Sequence, residues 1–497
     1  MQTSNSTDMG KFVRSLSLQP WIPILLILLL ATLLRFYQLG RESLWVDEFH
    51  SLDRTASLKF GFRVLYFALL RVWMIFGTSD AWLRGLSAIF GIGSVFLIYQ
   101  LGYRLVGRAT GFVSAFVVAV SPLFIFHSQE VRMYMLSTFL TMAGTLALVF
   151  LFERPNVLCA GLWLSTRLLA IYTTPLNLLL LLPDALLVFF NFRKQRRIFI
   201  AAVVSLVVVG LLFLPVAFKF VSDSRVFLAK AGTLPSAIEI LGQLPAATVY
   251  WPMRQLPDHQ TWLYGLWGVL LVGLLGFLVF HKKRSSRLNW LAAWAFLPSS
   301  IMLGVSLVIG DIWAPRYLLL STPYFIILFA AGFVQVWQRQ RAIAVGIAAV
   351  YAITLSIGLV HYYGQENVTD WRGAVQVIDA QEQVGDRIIV PSDFVRDEVF
   401  AHYYSDSTPV EIVENLKPYR SVEQAQLSQE LGQASSNASR VWLIYRRPRS
   451  ASRSGQRHQQ VFQAVLEAQY QIQQHEVFSG YLDTLDLFLL MPQTAAK

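Results

Sequence analysis

Charge is scarce in this chain. Asp, Glu, Lys and Arg make up 14% of its 497 residues, against 55% hydrophobic, whereas a soluble protein carries roughly 25% charged residues. So few charges cannot clothe a soluble surface of that size, which excludes a soluble multidomain enzyme. Cysteine is rarer still. Cys159 stands alone, so there is no intrachain disulfide and no cysteine-based metal cluster; an inert buried role is expected for it. The eight histidines show no metal-ligand spacing, and no solenoid-type repeat is present. What the chain has in excess is apolar, with 35 Phe, 14 Trp and a mean hydropathy of +0.50. That composition reads as a polytopic membrane protein.

The few charges are unevenly placed. Residues 364–497 carry 17 acids and 12 bases, a net of −5, which leaves 13 acids and 29 bases, a net of +16, in residues 1–363. The basic part is what orientation in a bilayer requires, so the overall charge does not imply nucleic acid. Residues 1–19 are polar, with Lys11 and Arg14. Trp21–Leu34 is apolar, and no small-residue cleavage site follows, so a span rather than a signal peptide is expected. A span needs about 20 mostly apolar residues. On that rule about eleven are expected, at 20–38, 85–103, 109–127, 133–152, 157–174, 175–192, 198–220, 261–280, 289–310, 317–337 and 342–361. The fifth and sixth meet at Thr174-Pro175.

Alternate loops are basic: Arg104/Arg108, Arg193 to Arg197, His281 to Arg284 with Arg287, and Arg339/Arg341. The positive-inside rule makes their side cytoplasmic. The organisation expected is a cytoplasmic tail 1–19, a transmembrane domain 20–363 and an extracytoplasmic α/β domain 364–497, in a multi-pass protein of the cytoplasmic (inner) membrane. In the long first outer loop, Phe62–Phe76 is too short to span and carries Arg63 and Arg71, which suits an interfacial helix. Ser236 and Glu239 have capping-box spacing for a short helix to about Leu241. In the tail, Asp386–Val390, Arg440–Tyr445 and Leu485–Leu490 read as buried strands, Val461–Gln471 as a helix and 446–460 as a mobile loop.

Two of the acids in the membrane part are adjacent, Asp47 and Glu48, in an outer loop among aromatics. Such a pair suits proton abstraction from a hydroxyl, a divalent metal or a cationic ligand. Around it stand Arg35 at the end of the first span, Arg84 at the start of the second, and the short outer loop His127-Ser-Gln-Glu130-Val-Arg132-Met-Tyr134. Arg316-Tyr317 opens the tenth span. Ionisable groups at such depths pair or serve a pathway. Glu130 and Arg132 could equally lock two helix ends, and Arg316 could snorkel. Arg167 lies within the fifth span, with Asp184 the nearest candidate partner. Arginine clamps phosphate in a bidentate way. A base beside a phosphate clamp, at the lipid boundary, fits transfer from a phosphate-linked lipid to a hydroxyl.

Several of these segments resemble the membrane glycosyltransferases of fold class C, in the protein O-mannosyltransferase and aminoarabinose-transferase branches. Arg35-Phe-Tyr-Gln-Leu-Gly40 with Ser43-Leu-Trp-Val-Asp47-Glu48 is similar to their first-loop motif. Asp80-Ala-Trp-Leu-Arg84 to Gly91, Ser121-Pro122 to Tyr134, Ala314-Pro-Arg316-Tyr317-Leu318 and Asp370-Trp-Arg-Gly373 resemble later stretches, in order. The resemblance implies an inverting transferase that uses a polyprenyl-phosphate sugar, with a lipid, glycan or protein acceptor. Asp47 would be the base, Glu48 a supporting carboxylate and Glu130 an orienting acid. Arg84, Arg132, Arg316 and Tyr317 would serve the donor phosphate, with Arg35 and Tyr134 in support. No cofactor is fixed, although paired acids permit a divalent cation. The chain departs from the family at Thr174-Pro175, where a His often stands, and in having an α/β tail instead of a β-trefoil.

The other reading is a polytopic transporter or lipid-linked sugar flippase, which would place its charges near the bilayer midplane on interrupted helices. A membrane anchor that displays the tail would leave most spans without purpose. Trp371-Arg372 could tether the tail to headgroups, and Asn367-Val-Thr369 and Asn437-Ala-Ser439 are sequons.

Overall fold

The structure is a computed structural model. It describes residues 21–195 except 59, 60 and 62; 200–212 except 202, 205, 206 and 209; 237–250, 261–280, 286–309, 315–391, 399–404, 408–417, 422–447, 453–480 and 484–493. The expected tail 1–19, the basic residues Arg196, Arg197 and His281 to Arg284, and Ser236 lie outside these. The described chain forms two compact units. The first takes the chain up to Leu39, then Leu58–Thr78 and Trp82–Tyr362. The second takes Gly40–Ser57, Ser79–Ala81 and Tyr363–Lys497.

The first unit is helical. Among the described residues six helices are long and apolar enough to cross a membrane: Asp80–Leu105, Tyr134–Glu153, Pro175–Phe192, Trp262–Val279, Arg287–Val305 and Arg341–Gly364. Arg108–Val120 and Pro122–Ser128 make a seventh if the pair, bent by 60°, is one span. Other expected spans coincide with shorter helices, Ile22–Phe36 and Val157–Thr173. Long faces such as Leu25, Leu29 and Leu33 stay exposed, as lipid-facing residues should. The fifth helix ends at Thr173, Thr174 is extended, and Pro175 opens a 3-10 turn to Leu180; proline has no N–H to continue the ladder but suits a first helical turn.

Several polar fastenings hold these helices. Arg167 Nε and Nη2 reach Asp184 at 2.7 and 3.1 Å. Trp163 and Trp294 donate to the same carboxylate at 2.8 Å each. Arg167 also donates to Thr141 O and Thr145 Oγ1. All of this is buried. In hydrocarbon no water can stand in for a lost partner, so such a group must be satisfied within the protein. The expected interfacial helix is Val64–Trp73 with a 3-10 turn Met74–Phe76. It is pinned by Trp73 and Trp82, whose rings stack at 4.5 Å while each indole N–H donates to the other's carbonyl. The helix expected to end near Leu241 runs from Ala237 to Val249. Cys159 is half-buried, one turn into its helix, with its N–H on the capping Asn156, not in a core.

The second unit carries a five-stranded sheet in the order β2-β1-β3-β5-β4. Its strands are β1 Asp386–Val390, β2 Val410–Ile412, β3 Arg440–Arg446, β4 Tyr470–Ser479 and β5 Thr484–Pro492. β1 pairs in parallel with β2 and β3, while β5 runs antiparallel between β3 and β4. The expected strands are the three central ones, whose continuous apolar runs fit burial on both faces. β2 is three residues long, and β4 is an exposed edge of Gln and His; neither has an apolar signal. The stretch expected to be a mobile loop is corrected: residues 453–460 begin the helix Arg453–Gln469, whose Phe462, Val465 and Leu466 are buried against the sheet. Its first two turns are polar in composition, and their covered side chain is a histidine, His458, stacked on Tyr445. At the mouth of β1 and β3, Asp386 accepts from Arg440 at 2.7 and 2.9 Å, from Gln383 N–H and from Trp442 Nε1. Burial pushes its pKa up, but these donors outweigh that and hold it below the usual range.

Candidate active site

The expected site residues are distributed over both units, Asp47 and Glu48 in the second and the arginines and Glu130 in the first. In the second, Asp47 and Glu48 open the helix Val46–Ala56. Glu48, fully buried, turns back so that its Oε2 accepts the Trp45 N–H at 3.1 Å. That closes the first turn in the manner of an N3 acid, a local task that the reading of Glu48 as a supporting carboxylate did not include. Asp47 is half-buried at the helix start, where negative charge is favoured by the helix dipole.

The residues just before it are fastened by distant segments of the same unit. Ser43 Oγ donates to Thr369 O at 2.8 Å and accepts the Trp371 N–H at 3.0 Å. Glu42 Oε1 accepts both the N–H and the amide of Asn367. In Asp370-Trp-Arg-Gly373 every residue has a task. Asp370 caps its helix through Gly373 N–H at 2.9 Å, and a Cβ on residue 373 would strike that carboxylate. Trp371 is fully buried. Arg372 donates to Gly40 O, Glu42 O and Asp80. Tethering to headgroups is therefore corrected: these two side chains are spent inside the protein.

Asp80 was not singled out from sequence. It accepts from Arg372 Nη2 at 2.9 Å, His402 Nε2 at 2.9 Å and Tyr403 OH at 2.7 Å. A carboxylate only accepts, so Nε2 of His402 carries the proton. Tyr403 OH in turn accepts Leu44 N–H at 2.7 Å, and Phe49 packs edge-on against the rings of His402 and Tyr403.

In the first unit, the broken helix pair delivers the second loop. Arg35, fully buried, donates to Val118 O and Ala119 O at 3.0 and 2.9 Å and to Ser128 Oγ at 3.1 Å. It thus takes the carbonyls that the helix Arg108–Val120 leaves open at its end. Gly91 faces this junction, where a Cβ would strike Ser128 Oγ and Arg35 Nε. Arg35 thus serves as a cap for that helix end. A transporter would use freed carbonyls at a broken helix for an ion; here a guanidinium occupies them. Gln129 likewise donates to Arg35 O and Tyr37 O at the end of the first helix.

Beyond the break, His127 and Glu130 form a buried pair, Nδ1 to Oε1 at 2.7 Å. The Arg132 and Arg316 guanidiniums both lie over the Tyr134 ring, at 5.7 and 5.9 Å from its centre, and Arg316 also lies 5.7 Å from that of Tyr317. His127 meets Tyr134 edge-on. Ser87 Oγ holds Arg132 O, and Arg84 Nη1 donates to Leu39 O at 3.1 Å. The electron-rich face of a tyrosine lets the two guanidiniums approach one another. His127 was not singled out from sequence, although its spacing of three from Glu130 is the signal that could have found it.

The same unit holds an apolar cavity of about 370 Å³, lined by Phe112, Phe116, Trp267, Leu271, Phe329 and Tyr351 among others. Among the described residues no three of His, Cys, Asp and Glu gather as an all-protein metal site would require.

No protein-family model matches the chain, and no curated protein matches its sequence. Solved structures share its fold. ArnT from Cupriavidus metallidurans bound to undecaprenyl phosphate superposes with a TM-score of 0.56 at 13% identity, over 95% of this chain and 98% of that one. The oligosaccharyltransferase of Archaeoglobus fulgidus in its apo form gives 0.51 at 11% identity, over 85% and 69%. AglB from the same organism, in complex with an inhibitory peptide and a dolichol-phosphate, gives 0.50 at 12% identity. The fold implied by the first-loop and second-loop resemblance is thus the fold this multi-pass protein has.

Proposed function

We propose that this protein is an inverting glycosyltransferase that moves a sugar from a polyprenyl-phosphate donor to a hydroxyl acceptor. The observation that carries this reading is the pair of guanidiniums over Tyr134, beside the buried His127–Glu130 pair, in a fold shared with a structure bound to undecaprenyl phosphate. The Asp47 carboxylate takes the proton of the acceptor hydroxyl. The acceptor oxygen attacks the anomeric carbon, and the bond from that carbon to the phosphate oxygen breaks. The electron pair leaves on the phosphate, whose added charge Arg132 and Arg316 stabilise. Glu130, oriented by His127, positions the reacting groups. The apolar cavity suits an isoprenoid chain.

The reading includes about eleven spans, a cytoplasmic N-terminus and an extracytoplasmic domain at 364–497, from the alternation of basic loops. The test uses the full chain in nanodiscs with radiolabelled undecaprenyl-phosphate hexoses and pentoses, scoring release of undecaprenyl phosphate. Turnover of one donor is expected, and its loss by at least about a hundredfold in Asp47→Asn. No turnover across the panel, or near-normal turnover by that variant, overturns the donor class or the base respectively.

A further inference from the structure

The segment that carries Asp47 belongs to the same compact unit as the C-terminal tail, although more than three hundred residues separate them in sequence. We infer that the C-terminal domain is a working part of the active site, in which Tyr403, held by Asp80 and flanked by His402 and Arg372, positions the base loop. This rests on the reading of Asp47 as base.

The loop Gly40–Trp45 has no regular secondary structure to fix it. It is instead gripped along its length: Gly40 O and Glu42 O by Arg372, the Ser43 hydroxyl by Thr369 O and Trp371 N–H, and Leu44 N–H by Tyr403. The helix carrying Asp47 begins two residues after Leu44. Every one of these grips comes from the tail. The Asp80 carboxylate is the anchor: it accepts from Arg372, His402 and Tyr403, so the three side chains that define the loop's seat are fixed relative to one another. Tyr403 hydroxyl is the relay, donating to Asp80 and accepting from Leu44. A base must lie within hydrogen-bond reach of its proton, and misplacement by about 1 Å costs on the order of a hundredfold in rate. Fixing Leu44 therefore fixes Asp47 in a way that its own helix cannot.

Tyr403→Phe keeps the ring against Phe49 and beneath Arg372 and deletes only the relay. In the full chain in nanodiscs, deuterium exchange of the peptide 43–50 should rise, and turnover of the undecaprenyl-phosphate sugar should fall about ten- to a hundredfold in kcat, with the donor KM within twofold. Added to Asp47→Asn it should cause no further loss. Ser43→Ala, which removes the neighbouring grip and leaves the Asp80 cluster whole, should show the same split if Tyr403→Phe fails to fold. Wild-type exchange and kcat in whichever of the two folds overturns the inference, as does a fall through KM alone. If Asp47→Asn itself turns over normally, the base reading fails; faster exchange in Tyr403→Phe would then show a loop fastened for some other purpose, and the positioning of a base is overturned with it.

Discussion

Two buried aspartates, one in each unit, solve the same electrostatic problem to different ends. Asp184 is fully buried and Asp80 is 8% exposed, and each meets the cost of burial with an arginine and further donors. Asp184 takes its donors from membrane helices, and its network ends in their walls: Arg167 goes on to Thr141 O and to Thr145, whose hydroxyl meets Tyr324 OH. Asp80 takes its donors from the C-terminal segment, and one of them hands a bond on to Leu44 in the motif loop. The first is a staple and the second is a seat. Burial and pairing alone do not distinguish them; where the outermost bond lands does.

The comparison can be broken most directly at Asp184. Asp184→Ala leaves the Arg167 guanidinium buried without its carboxylate, which should cost about 3–5 kcal/mol, read as a fall in unfolding temperature in detergent. Turnover per folded molecule should hold within twofold; a selective loss of turnover would make Asp184 part of the site. Next comes Arg316→Ala. Loss of a charge-assisted contact to the donor phosphate, worth about 1.5–3 kcal/mol, should raise donor KM roughly ten- to a hundredfold. An unchanged KM would make Arg316 a brace like Arg167.

The smallest effect concerns the core of the tail unit. His458 stacks on Tyr445, and its Nε2 donates to Asn415 O at 2.9 Å. Burial holds its pKa below the ordinary histidine range, against the effect of that bond. The folded unit therefore resists protonation that the unfolded chain accepts. Its contribution is full above the unfolded value of about 6.5 and is lost as pH falls below it. Exchange protection of residues 440–446 in the full chain, corrected for intrinsic rates, should drop between pH 7.5 and 5.5. His458→Gln should be weaker at pH 7.5 and show a flatter slope. A slope equal to that of the native chain would place the pH sensitivity elsewhere.

Much of the fold is legible because its cues are local. Apolar runs give the helices, and DRIIV and RVWLIYR give the central strands. The pairing of Arg167 with Asp184 follows from the cost of two charges in neighbouring spans. The polar start of Arg453–Gln469 hides its helix, because the side chain it buries against the sheet first is a histidine, His458, which gives no apolar period. The arginines at 132 and 316 stand out through their motifs, but their meeting on Tyr134 is not legible. Asp80 escaped notice because its partners sit at 372, 402 and 403, and nothing in one sequence links such distances. The capping by Arg35 is hidden for a related reason: two of its partners are backbone carbonyls, which leave no trace in residue type.

Arg35 also imposes an order on biogenesis. Its guanidinium leaves the ribosome 84 residues ahead of the Ala119 carbonyl that receives it. Through that interval its charge cannot yet rest on that helix end and must be met by water or lipid phosphate. The buried seat of Arg35 is therefore complete only once that later helix has been made.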